Sequence, residues 1–490
     1  MAKWEITIPN FQGGFSPAWY KETYPSFGNK NQAGAMTNID LTNPGYISQG
    51  PGLSNLTNGT QAGALATLPK GILDFAVTSD TTYGTGGNQL YKFSSTTVVD
   101  DATWPHTVDK VAQTAELGED VAYFQGNLYY SYNHSNSLGD IGKFNLSSTF
   151  DDDWGSTVPT GANTLTGGVP HQMIVGGNDV MYIANGRFVT SYDGTTFTQQ
   201  KLDLPNGTEI QSIAWNSDRL WIAANRPQLT GSNKLTASIY VWNGTADSWE
   251  LEIKMMGAVG GLHVKNGILF IFYRDITSTG GYKLGFVEGS GITDVANYTG
   301  GLPTFYQISD YKDFIIWNSN GDIFAFGAGD RELPVKLFQF ADGGYATIGG
   351  LVCPFGDLLV ASFDDGTNYK IAKFSGFDTN SSWKSLMFDI TGTGKISKID
   401  LVRINFETLQ TNARVDWKLV NNQGVTVYPT TASGNTFEII SNTKLGAVTT
   451  AYYSLNGLTA ENFRIELDFS NGNTTNTVKV KNIKIKGSVD

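Results

Sequence analysis

Short apolar strands that end in an aromatic residue recur through the middle of the chain, with polar turns between them. Their spacing is about 47 residues, close to the period of known propeller repeats. The seven strands are Leu90–Phe93, Ile141–Phe144, Phe188–Tyr192, Ile239–Trp242, Lys283–Phe286, Ile323–Phe326 and Ile371–Phe374. Such a period is typical of β-propeller blades, because a single blade cannot cover its own faces and is stable only between neighbours.

A hairpin of two apolar strands precedes each aromatic-tipped strand and keeps the same period. Asn and Gly at its turn favour a hairpin, since both tolerate the positive φ that tight turns need. The predicted turns are Ser79-Asp80, Gly126-Asn127, Gly177-Asn178, Ser217-Asp218, Asn266-Gly267, Tyr311-Lys312 and Phe355-Gly356. Two landmarks with one period predict a propeller of about seven blades over residues 60–388, with six or eight blades as alternatives.

From about Ser382 the pattern changes to strict alternation of apolar and polar residues. Residues 414–419 and 463–469 alternate with period two, which indicates half-buried antiparallel strands. The last strand changes phase near Lys481-Asn482, as one extra residue in a β-bulge would cause. We therefore predict an all-β chain in three parts: an extended N-terminal arm at 1–59, the propeller at 60–388 and an antiparallel β-sandwich of roughly eight strands at 389–490. The only helical turn expected lies at Asn31–Thr37.

Composition and charge narrow the classes of partner. The chain has 490 residues, 57 Gly, 12% aromatic and 16% charged residues, and a net charge of −12. A protein that grips phosphates concentrates Lys and Arg, so neither sequence-specific nucleic-acid binding nor docking on an anionic membrane is expected. No run of 18 apolar residues predicts membrane insertion. The single cysteine, Cys353, excludes an intramolecular disulfide and a multi-cysteine metal site.

Candidate chemistry is sparse. The four histidines, His106, His134, His171 and His263, lie in different repeat units and never at ligand spacing. No nucleophile elbow, zinc-protease or phosphate-loop motif is present. The acidic run at 151–153 is expected to form a solvated turn, because a calcium loop needs ligands at alternating positions. We predict no catalytic residue, no metal and no cofactor, and hence a protein that is not an enzyme.

Three tryptophans in loop-like contexts, Trp154, Trp249 and Trp383, are candidates for stacking on sugar rings. Packing at blade edges explains each of them at least as well.

The N-terminal segment carries an ordered series of short motifs. They are Ile8-Pro9-Asn10-Phe11-Gln12-Gly13-Gly14-Phe15-Ser16, Asn31-Gln32-Ala33, Asn38-Ile39-Asp40-Leu41 and Gly50-Pro51-Gly52-Leu53. This series, placed ahead of a propeller and a sandwich, resembles the opening of virion proteins of tailed bacteriophages, and is similar to the tail nozzle (tail tubular) proteins of short-tailed phages. Gly50 departs from the family pattern, which has arginine before this Pro-Gly.

The resemblance implies a structural virion protein, most simply a tail or nozzle component that assembles in the host cytoplasm. Its partners would be copies of itself in a ring, for example a hexamer, around the DNA path, together with other phage tail or neck proteins. Phe11, Gly13, Gly14 and Phe15 would form an assembly arm on a neighbouring subunit. The alternative is a segment that closes the last blade onto the first; both can hold.

Two other functions stay open. The first is a host-receptor or carbohydrate-binding module of a tail or capsid decoration, with a host-surface glycan as partner. The second is a propeller glycosidase, which would need two carboxylates that face each other across a cleft.

Overall fold

The computed structural model of the chain describes residues 2–9, 11, 21–22, 33–40, 45–58, 71–78, 81–99, 101–111, 115–134, 138–157, 165–226, 236–275, 281–298, 300–327, 334–339, 347–355, 358–364, 369–388, 397–430 and 437–489. These residues fold almost entirely as β-strands, which confirms the predicted all-β class.

The described strands are short and follow one another through the whole chain. In the first half they are β1 (Ala2–Ile8), β2 (Lys21–Glu22), β3 (Ala33–Thr37), β4 (Ile39–Asp40), β5 (Ser48–Gln49), β6 (Pro51–Asn55), β7 (Thr57–Asn58), β8 (Gly71–Thr78), β9 (Thr81–Gly86), β10 (Gln89–Phe93), β11 (Thr97–Val98), β12 (His106–Thr107), β13 (Leu117–Phe124), β14 (Asn127–His134), β15 (Leu138–Phe144), β16 (Phe150–Asp151), β17 (Leu165–Thr166), β18 (Met173–Val175), β19 (Met181–Asn185), β20 (Phe188–Tyr192), β21 (Phe197–Asp203), β22 (Glu209–Asn216) and β23 (Arg219–Arg226).

In the second half they are β24 (Thr236–Trp242), β25 (Leu251–Lys265), β26 (Ile268–Asp275), β27 (Tyr282–Glu288), β28 (Gly291–Tyr298), β29 (Ile308–Tyr311), β30 (Phe314–Ser319), β31 (Asp322–Gly327), β32 (Val335–Gln339), β33 (Thr347–Phe355), β34 (Leu358–Asp364), β35 (Tyr369–Phe377), β36 (Ser382–Ser385), β37 (Met387–Phe388), β38 (Ser397–Phe406), β39 (Arg414–Val420), β40 (Thr426–Tyr428), β41 (Glu438–Ser441), β42 (Thr450–Ala460), β43 (Arg464–Asp468) and β44 (Val480–Val489). Two one-turn helices, α1 (Trp154–Thr157) and α2 (Asn442–Leu445), and a 3-10 turn at Phe305–Gln307 complete the described elements. None of these helices has the length or the apolar composition to cross a bilayer.

The chain divides into two compact units. The propeller unit comprises Asn55–Gly321 and Gly344–Lys373, and the sandwich unit comprises Met1–Ser54, Asp322–Gly343 and Phe374–Asp490. This division follows contacts and not the linear order of the chain, so the three-part assignment made from the sequence stays a prediction.

The propeller unit is a closed ring of antiparallel sheets. Strands β8–β11, β13–β16, β18–β21 and β22–β25 form successive sheets, and the long β25 continues as the first strand of the sheet β25–β28. The first strands of the seven repeats are β8, β13, β18, β22, β25, β29 and β33. They contact one another in this order, and β33 contacts β8. A cycle of seven first strands is the arrangement of a seven-bladed propeller, which confirms the predicted fold.

Turn chemistry explains the hairpins that open the repeats. The predicted turns at Gly126, Gly177, Ser217, Asn266 and Lys312 lie between the first and second strands of their sheets. At Asn266-Gly267 both residues have positive φ, 52° and 76°, as the two-residue turn of a twisted hairpin requires. The turns predicted at 79–80 and 355–356 extend into positions outside the described residues.

Hydrophobic clusters lie between the first and second, second and third, third and fourth, fourth and fifth, and last and first blades. Between the second and third blades, Trp154 packs edge to face on Tyr129 and Tyr192, with ring centroids 4.8 and 5.0 Å apart. Aromatic pairs of this geometry contribute about 0.5–1.5 kcal/mol beyond the area they bury. The blades are therefore held mainly by what lies between them.

Hydrogen bonds also join the first strands of neighbouring blades. Side chains of one blade bond to the next at Asp120 Oδ2 to Met173 N (2.8 Å), Gln172 Oε1 to Ile213 N (2.7 Å), Ser212 Oγ to Leu262 N (3.0 Å) and His263 Nε2 to Asp310 Oδ1 (2.9 Å). Asp120 and Ser212 each follow a register shift in their own strand, which re-aims the side chain towards the next blade.

The sandwich unit contains two large sheets and the two-stranded sheets β2-β37 and β4-β5. Sheet A has the order β1-β44-β38-β42, and sheet B has the order β3-β36-β43-β39-β40 with β41 also paired to β39. Trp417 of sheet B packs edge to face on Tyr453 of sheet A at 4.8 Å, so apolar faces of the two sheets meet. The predicted bulge is present: Asn405 lies opposite Asn482 and Phe406 opposite Val480, which leaves Lys481 as the extra residue.

The N-terminal strands are paired within the sandwich unit. The alternation of Ile6 and Ile8 with exposed or half-buried neighbours lets β1 pair antiparallel with β44, from Ala2 opposite Val489 to Ile8 opposite Ile483. The predicted helical turn at Asn31–Thr37 is wrong, because Ala33–Thr37 pairs with β36 as a strand of sheet B. Tertiary pairing overrides the weak local preference of this segment.

The ring is closed by a short stretch of chain after β6. Leu56 N donates to the Ile371 carbonyl of the last blade (3.0 Å), and β7 then runs parallel to β11 of the first blade. Leu56 is 5% exposed and lies in one cluster with Tyr91 and Phe93 of the first blade and Val360 of the last. This supports the expectation that the N-terminal segment joins the last blade to the first.

Leu56→Ala is expected to lower the free energy of unfolding by about 2–5 kcal/mol, because it leaves a cavity where the ring closes. Urea unfolding followed by tryptophan fluorescence measures the change. Leu117→Ala is the matched control, since Leu117 is 47% exposed and should change stability by no more than about 0.5 kcal/mol. Equal effects of the two substitutions would show that closure does not depend on this cluster.

Candidate functional site

A cavity of about 270 Å³ opens among the first strands of the propeller unit. Its walls come from β13, β18, β25, β29, β33 and the 3-10 turn. Tyr123 is 41% exposed, and Tyr306, which packs edge to face on Phe305 at 5.2 Å, is half-buried. The polar side chains of Gln172 and Ser309 lie among these rings. Aromatic walls with a few polar groups are the usual composition of small-molecule sites, although this cavity lies at the lower end of their size range.

Asp120 is the single carboxylate among the described residues that line this cavity. Its side chain is 1% exposed and accepts hydrogen bonds from Val121 N (2.9 Å) and Met173 N (2.8 Å). Burial raises the pKa of Asp120 well above its usual value, although the two N–H donors act in the opposite direction. Its oxygens already hold two blades together, so this carboxylate is poorly placed to act as a nucleophile or base.

His263 lines the same cavity and bonds to Asp310, which also accepts from Lys265 at 3.0 Å. Burial alone would raise the pKa of Asp310, but His263 and Lys265 outweigh it and hold the pKa below its usual value. Lys265 Nζ also donates to the Lys312 and Phe314 carbonyls. This group therefore joins the fifth and sixth blades through charge.

The prediction that the acidic run at 151–153 forms a solvated turn is wrong for Asp152, which is largely buried. The Asp152 side chain is 12% exposed and pairs with His106 Nε2 at 3.0 Å. It also accepts from Tyr130 Oη and from Asp109 N (3.0 Å). Burial raises the pKa of Asp152, yet these donors outweigh it and leave the pKa below its usual value. These partners could not be identified from the sequence, because they lie 22 to 46 residues before Asp152 and not in its own turn.

Lys110 forms a second buried group beside this run. Its Nζ donates to Asp140, to Asp153 Oδ1 (3.2 Å) and to Ser156 Oγ (2.7 Å), and the Asp140 side chain is fully buried. Burial would lower the pKa of Lys110, but the two carboxylates outweigh it and raise the pKa. The arrangement anchors the segment before β13 onto the second blade.

Two of the three predicted sugar-stacking tryptophans lie in hydrophobic cores. Trp154 is 4% exposed between two blades, and Trp383 is 1% exposed in sheet B. A buried indole offers no face to a sugar ring, which argues against both residues and favours the packing alternative. Trp249 is half-buried, with its ring 5.1 Å from Tyr240, so one part of it faces solvent. Its assignment stays a prediction.

The predicted assembly arm is described at Phe11 alone. Phe11 is 3% exposed and packs edge to face on Trp383 at 5.0 Å, both within the sandwich unit. In this position the ring fills a core of its own chain and is not available to a neighbouring subunit. Gly13, Gly14 and Phe15 lie outside the described residues.

The later N-terminal motifs dock onto the segment that follows β35. The Asn38 side-chain amide donates to Asp378 Oδ2 (2.9 Å) and to the Asn380 carbonyl (3.0 Å). Gly50 N donates to the Asn38 carbonyl (2.5 Å), and a Cβ at Gly50 would collide with that oxygen. This close approach leaves no room for a side chain at position 50.

None of the histidines in the described residues belongs to a group that could hold a metal ion. The His171 ring is buried, with Nε2 2.7 Å from the Thr166 carbonyl, and His134 is 6% exposed. The two tyrosines that line the cavity, Tyr123 and Tyr306, were not predicted as site residues from the sequence. Tyr123 stands in a first strand, and only the cycle of blades shows that such positions converge.

No protein-family model matches the chain. No curated protein matches it either. Similar solved structures include YCF48 bound to D1 peptide (11% identity, TM-score 0.40, 66% of this chain and 98% of that chain). Others are the PQQ-bound aldose sugar dehydrogenase from Streptomyces coelicolor (13%, 0.35, 66% and 98%) and the extracellular domain of a hybrid two-component system from B. thetaiotaomicron (12%, 0.46, 80% and 47%). At these identities and TM-scores no argument about activity or partner follows; the propeller fold rests on the strand pairing above.

Asp152→Ala is expected to lower the free energy of unfolding at pH 7 by about 1.5–3 kcal/mol, because hydrogen bonds to a charged group are lost. Since the folded-state pKa of Asp152 is lowered, its contribution is present above about pH 4 and is lost as the pH falls further. Urea unfolding between pH 3 and pH 7 measures the deficit.

Asp151→Ala is the matched control. Burial and the neighbouring Asp153 raise the pKa of Asp151, so removal of its charge should be neutral or stabilising at pH 7. A deficit for Asp152→Ala that does not change with pH would contradict the role given to the ion pair.

Proposed function

We propose that the chain is a structural subunit of a tailed-bacteriophage virion, most simply a tail or nozzle component that forms a ring with copies of itself around the DNA path. It acts by assembly and without catalytic turnover. The observation that carries the proposal is the ordered motif series over residues 8–53, which resembles the opening of such virion proteins.

The structure supports a mechanical role for this series. Asn38 and Gly50 hold the N-terminal segment against residues 378–380 within the sandwich unit. Farther along, Leu56 links the last blade to the first within the propeller unit. A motif series that ties the chain together suits a protein whose function is to be a rigid building block.

The chemistry of the described cavity also favours assembly over turnover. A glycosidase needs two carboxylates on opposite sides of a cleft, about 5–10 Å apart. Among the described lining residues only Asp120 carries a carboxylate, and it is committed to backbone donors. His263, which also lines the cavity, is paired with Asp310.

Virions purified from a lysate that expresses the gene should contain the chain in a fixed copy number, and an antibody against it should label the tail in negative-stain images. Mass spectrometry of gradient-purified particles measures the copy number relative to the major capsid protein. A chain that stays in the soluble fraction and is absent from washed particles would contradict the proposal.

A second function, glycan binding, is favoured by the aromatic residues that line the cavity. Tyr123 and Tyr306 present rings beside Gln172 and Ser309, a combination that can stack on a sugar and bond to its hydroxyls. This function can coexist with a place in the tail, because a tail protein can contact the host surface.

On a glycan array, Tyr123→Ala is expected to weaken binding of any captured glycan at least tenfold, the equivalent of about 1.4 kcal/mol of lost contact. Trp249→Ala is the matched control, because its ring lies outside the described lining of the cavity. Loss of binding in the control alone would move the glycan site to Trp249. No captured glycan in the wild-type chain would remove this function.

A further inference from the structure

The outward face of sheet A is basic. On β44 the side chains of Ile483 and Ile485 are buried, so the alternating Lys484 and Lys486 point away from the core. Neighbouring strands place Arg403 opposite Lys484, Tyr452 opposite Arg403, and Glu5 opposite Lys486. We call the set Lys3, Arg403, Tyr452, Lys484 and Lys486 the basic face.

The cations of the basic face outnumber its carboxylates. Lys484 and Lys486 share Glu5, at 2.7 and 3.0 Å. Hydrogen bonds from these two lysines lower the pKa of Glu5 to about 2, so it stays ionised at any ordinary pH. Lys3 is exposed, and neither it nor Arg403 has a carboxylate partner among the described residues.

Arg403 and Tyr452 form the centre of this face. The guanidinium carbon lies 5.4 Å from the Tyr452 ring centroid, and Nε donates to Asn405 Oδ1 (3.0 Å). Tyr452 is 62% exposed, an unusual position for a large aromatic side chain on a flat sheet. Tyrosine and arginine are the residues that most often dominate the binding energy of protein interfaces.

The propeller unit has a face of opposite charge. In an antiparallel meander the turn between the first and second strands and the turn between the third and fourth strands lie at the same end of the sheet. We call this end of the blades the turn face. Its exposed acidic residues include Asp179, Asp193, Asp218, Asp247, Glu288 and Asp313. None of these six pairs with Lys or Arg in the part of the chain that the structure describes.

Contacts between blades show that these turns share one surface. Gln125 Nε2 of the second blade reaches Asp179 Oδ2 and the Asp193 carbonyl of the third, each at 3.4 Å. Asn216 of the fourth blade donates to the Gly267 carbonyl of the fifth (3.1 Å). Lys265 continues the series to the sixth blade.

The net charge is also distributed unequally along the chain, with the excess of acidic residues before residue 389. Residues 389–490 carry 11 Lys or Arg and nine Asp or Glu, whereas residues 1–388 carry 22 and 36. The net charges are therefore +2 and −14, and all residues of the basic face except Lys3 lie in the part of the chain that lacks the excess of acid. Two copies of the chain thus bring complementary surfaces to each other, although copies with a net charge of −12 repel at long range.

We propose that the basic face of one copy docks on the turn face of a second copy, with Arg403 and Tyr452 as its centre. This contact would join the copies in the ring and so rests on the proposed assembly. Because it joins two different surfaces, it is a heterologous contact, which repeats from copy to copy and closes into a ring when the rotation between copies permits.

Sedimentation velocity of the wild-type chain tests the contact first. Self-association is expected at about 50 mM NaCl and should weaken at least tenfold at about 500 mM, since salt screens exposed charges. The double variant Lys3→Glu/Arg403→Glu should weaken association at low salt at least tenfold, and Tyr452→Ala should weaken it at both salt concentrations. Lys201→Glu/Lys254→Glu makes the same change of net charge on outer blade strands and should associate as the wild type does.

A charge exchange identifies the partner surface. Asp218→Lys/Asp313→Lys alone should also prevent self-association. A mixture of this variant with Lys3→Glu/Arg403→Glu should associate again, because the reversed face of one meets the reversed face of the other. Circular dichroism and urea unfolding of each variant establish that it is folded.

Several results would overturn this contact. They are a wild-type chain that stays monomeric at both salt concentrations, a Lys3→Glu/Arg403→Glu variant that associates normally, or a mixture that does not recover. If that variant lost only affinity for a DNA duplex, the basic face would serve DNA instead. If virions contain the chain but these variants associate normally, the contact is rejected and the proposed structural role is unaffected. If the chain is absent from virions but associates through these charges, the contact is supported and the proposed structural role is rejected.

Discussion

The propeller unit depends on the closure of its ring. A blade has apolar faces that only neighbouring blades can cover, so seven blades in a row leave two faces open until the last meets the first. Leu56 lies at this junction, bonded to Ile371 of the last blade and packed among Tyr91 and Phe93 of the first. Side chains such as Asp120 and Ser212 then fix the angular spacing between first strands, because each satisfies a backbone N–H of the next blade.

In the N-terminal segment, the identities of Asn38 and Gly50 are explained by the contacts that these residues make within the sandwich unit. Gly50 sits where a side chain would collide with the Asn38 carbonyl, and Asn38 itself is held by Asp378 and Asn380. A segment held this closely to residues 378–380 within the sandwich unit needs small and amide-bearing residues at such places. The described residues of the motif series therefore hold the N-terminal segment to a later part of the chain.

Periodic features of the fold could be predicted from the sequence, and long-range ones could not. The blades, their turns and the bulge at Lys481 follow from local rules about apolar alternation and positive φ. Partners outside the local pattern leave no such trace. The strand β1 looks like a free arm in the sequence but pairs with β44 near the other end of the chain. Asp152 looks solvated, but His106 and Tyr130, which lie 46 and 22 residues away, surround its side chain. Trp154 and Trp383 were misleading for the same reason, since loop-like sequence around an indole does not reveal the blade or sheet that covers it.

Charged residues inside the propeller unit and on the basic face have different roles: the first join parts of the chain, and the second are available to a partner. Inside the propeller unit, Lys110 and Asp310 are each surrounded by opposite charges, so their electrostatic energy is used within the chain and offers nothing to a partner. On the basic face the balance is different, because the single charge of Glu5 is shared by two lysines while Arg403 lies next to an exposed aromatic ring. Surface ion pairs add little to stability. Lys3 and Arg403, which have no carboxylate partner among the described residues, are therefore better explained by binding to a partner than by a contribution to stability. A second copy would bring the exposed acids of the turn face as the opposite charge.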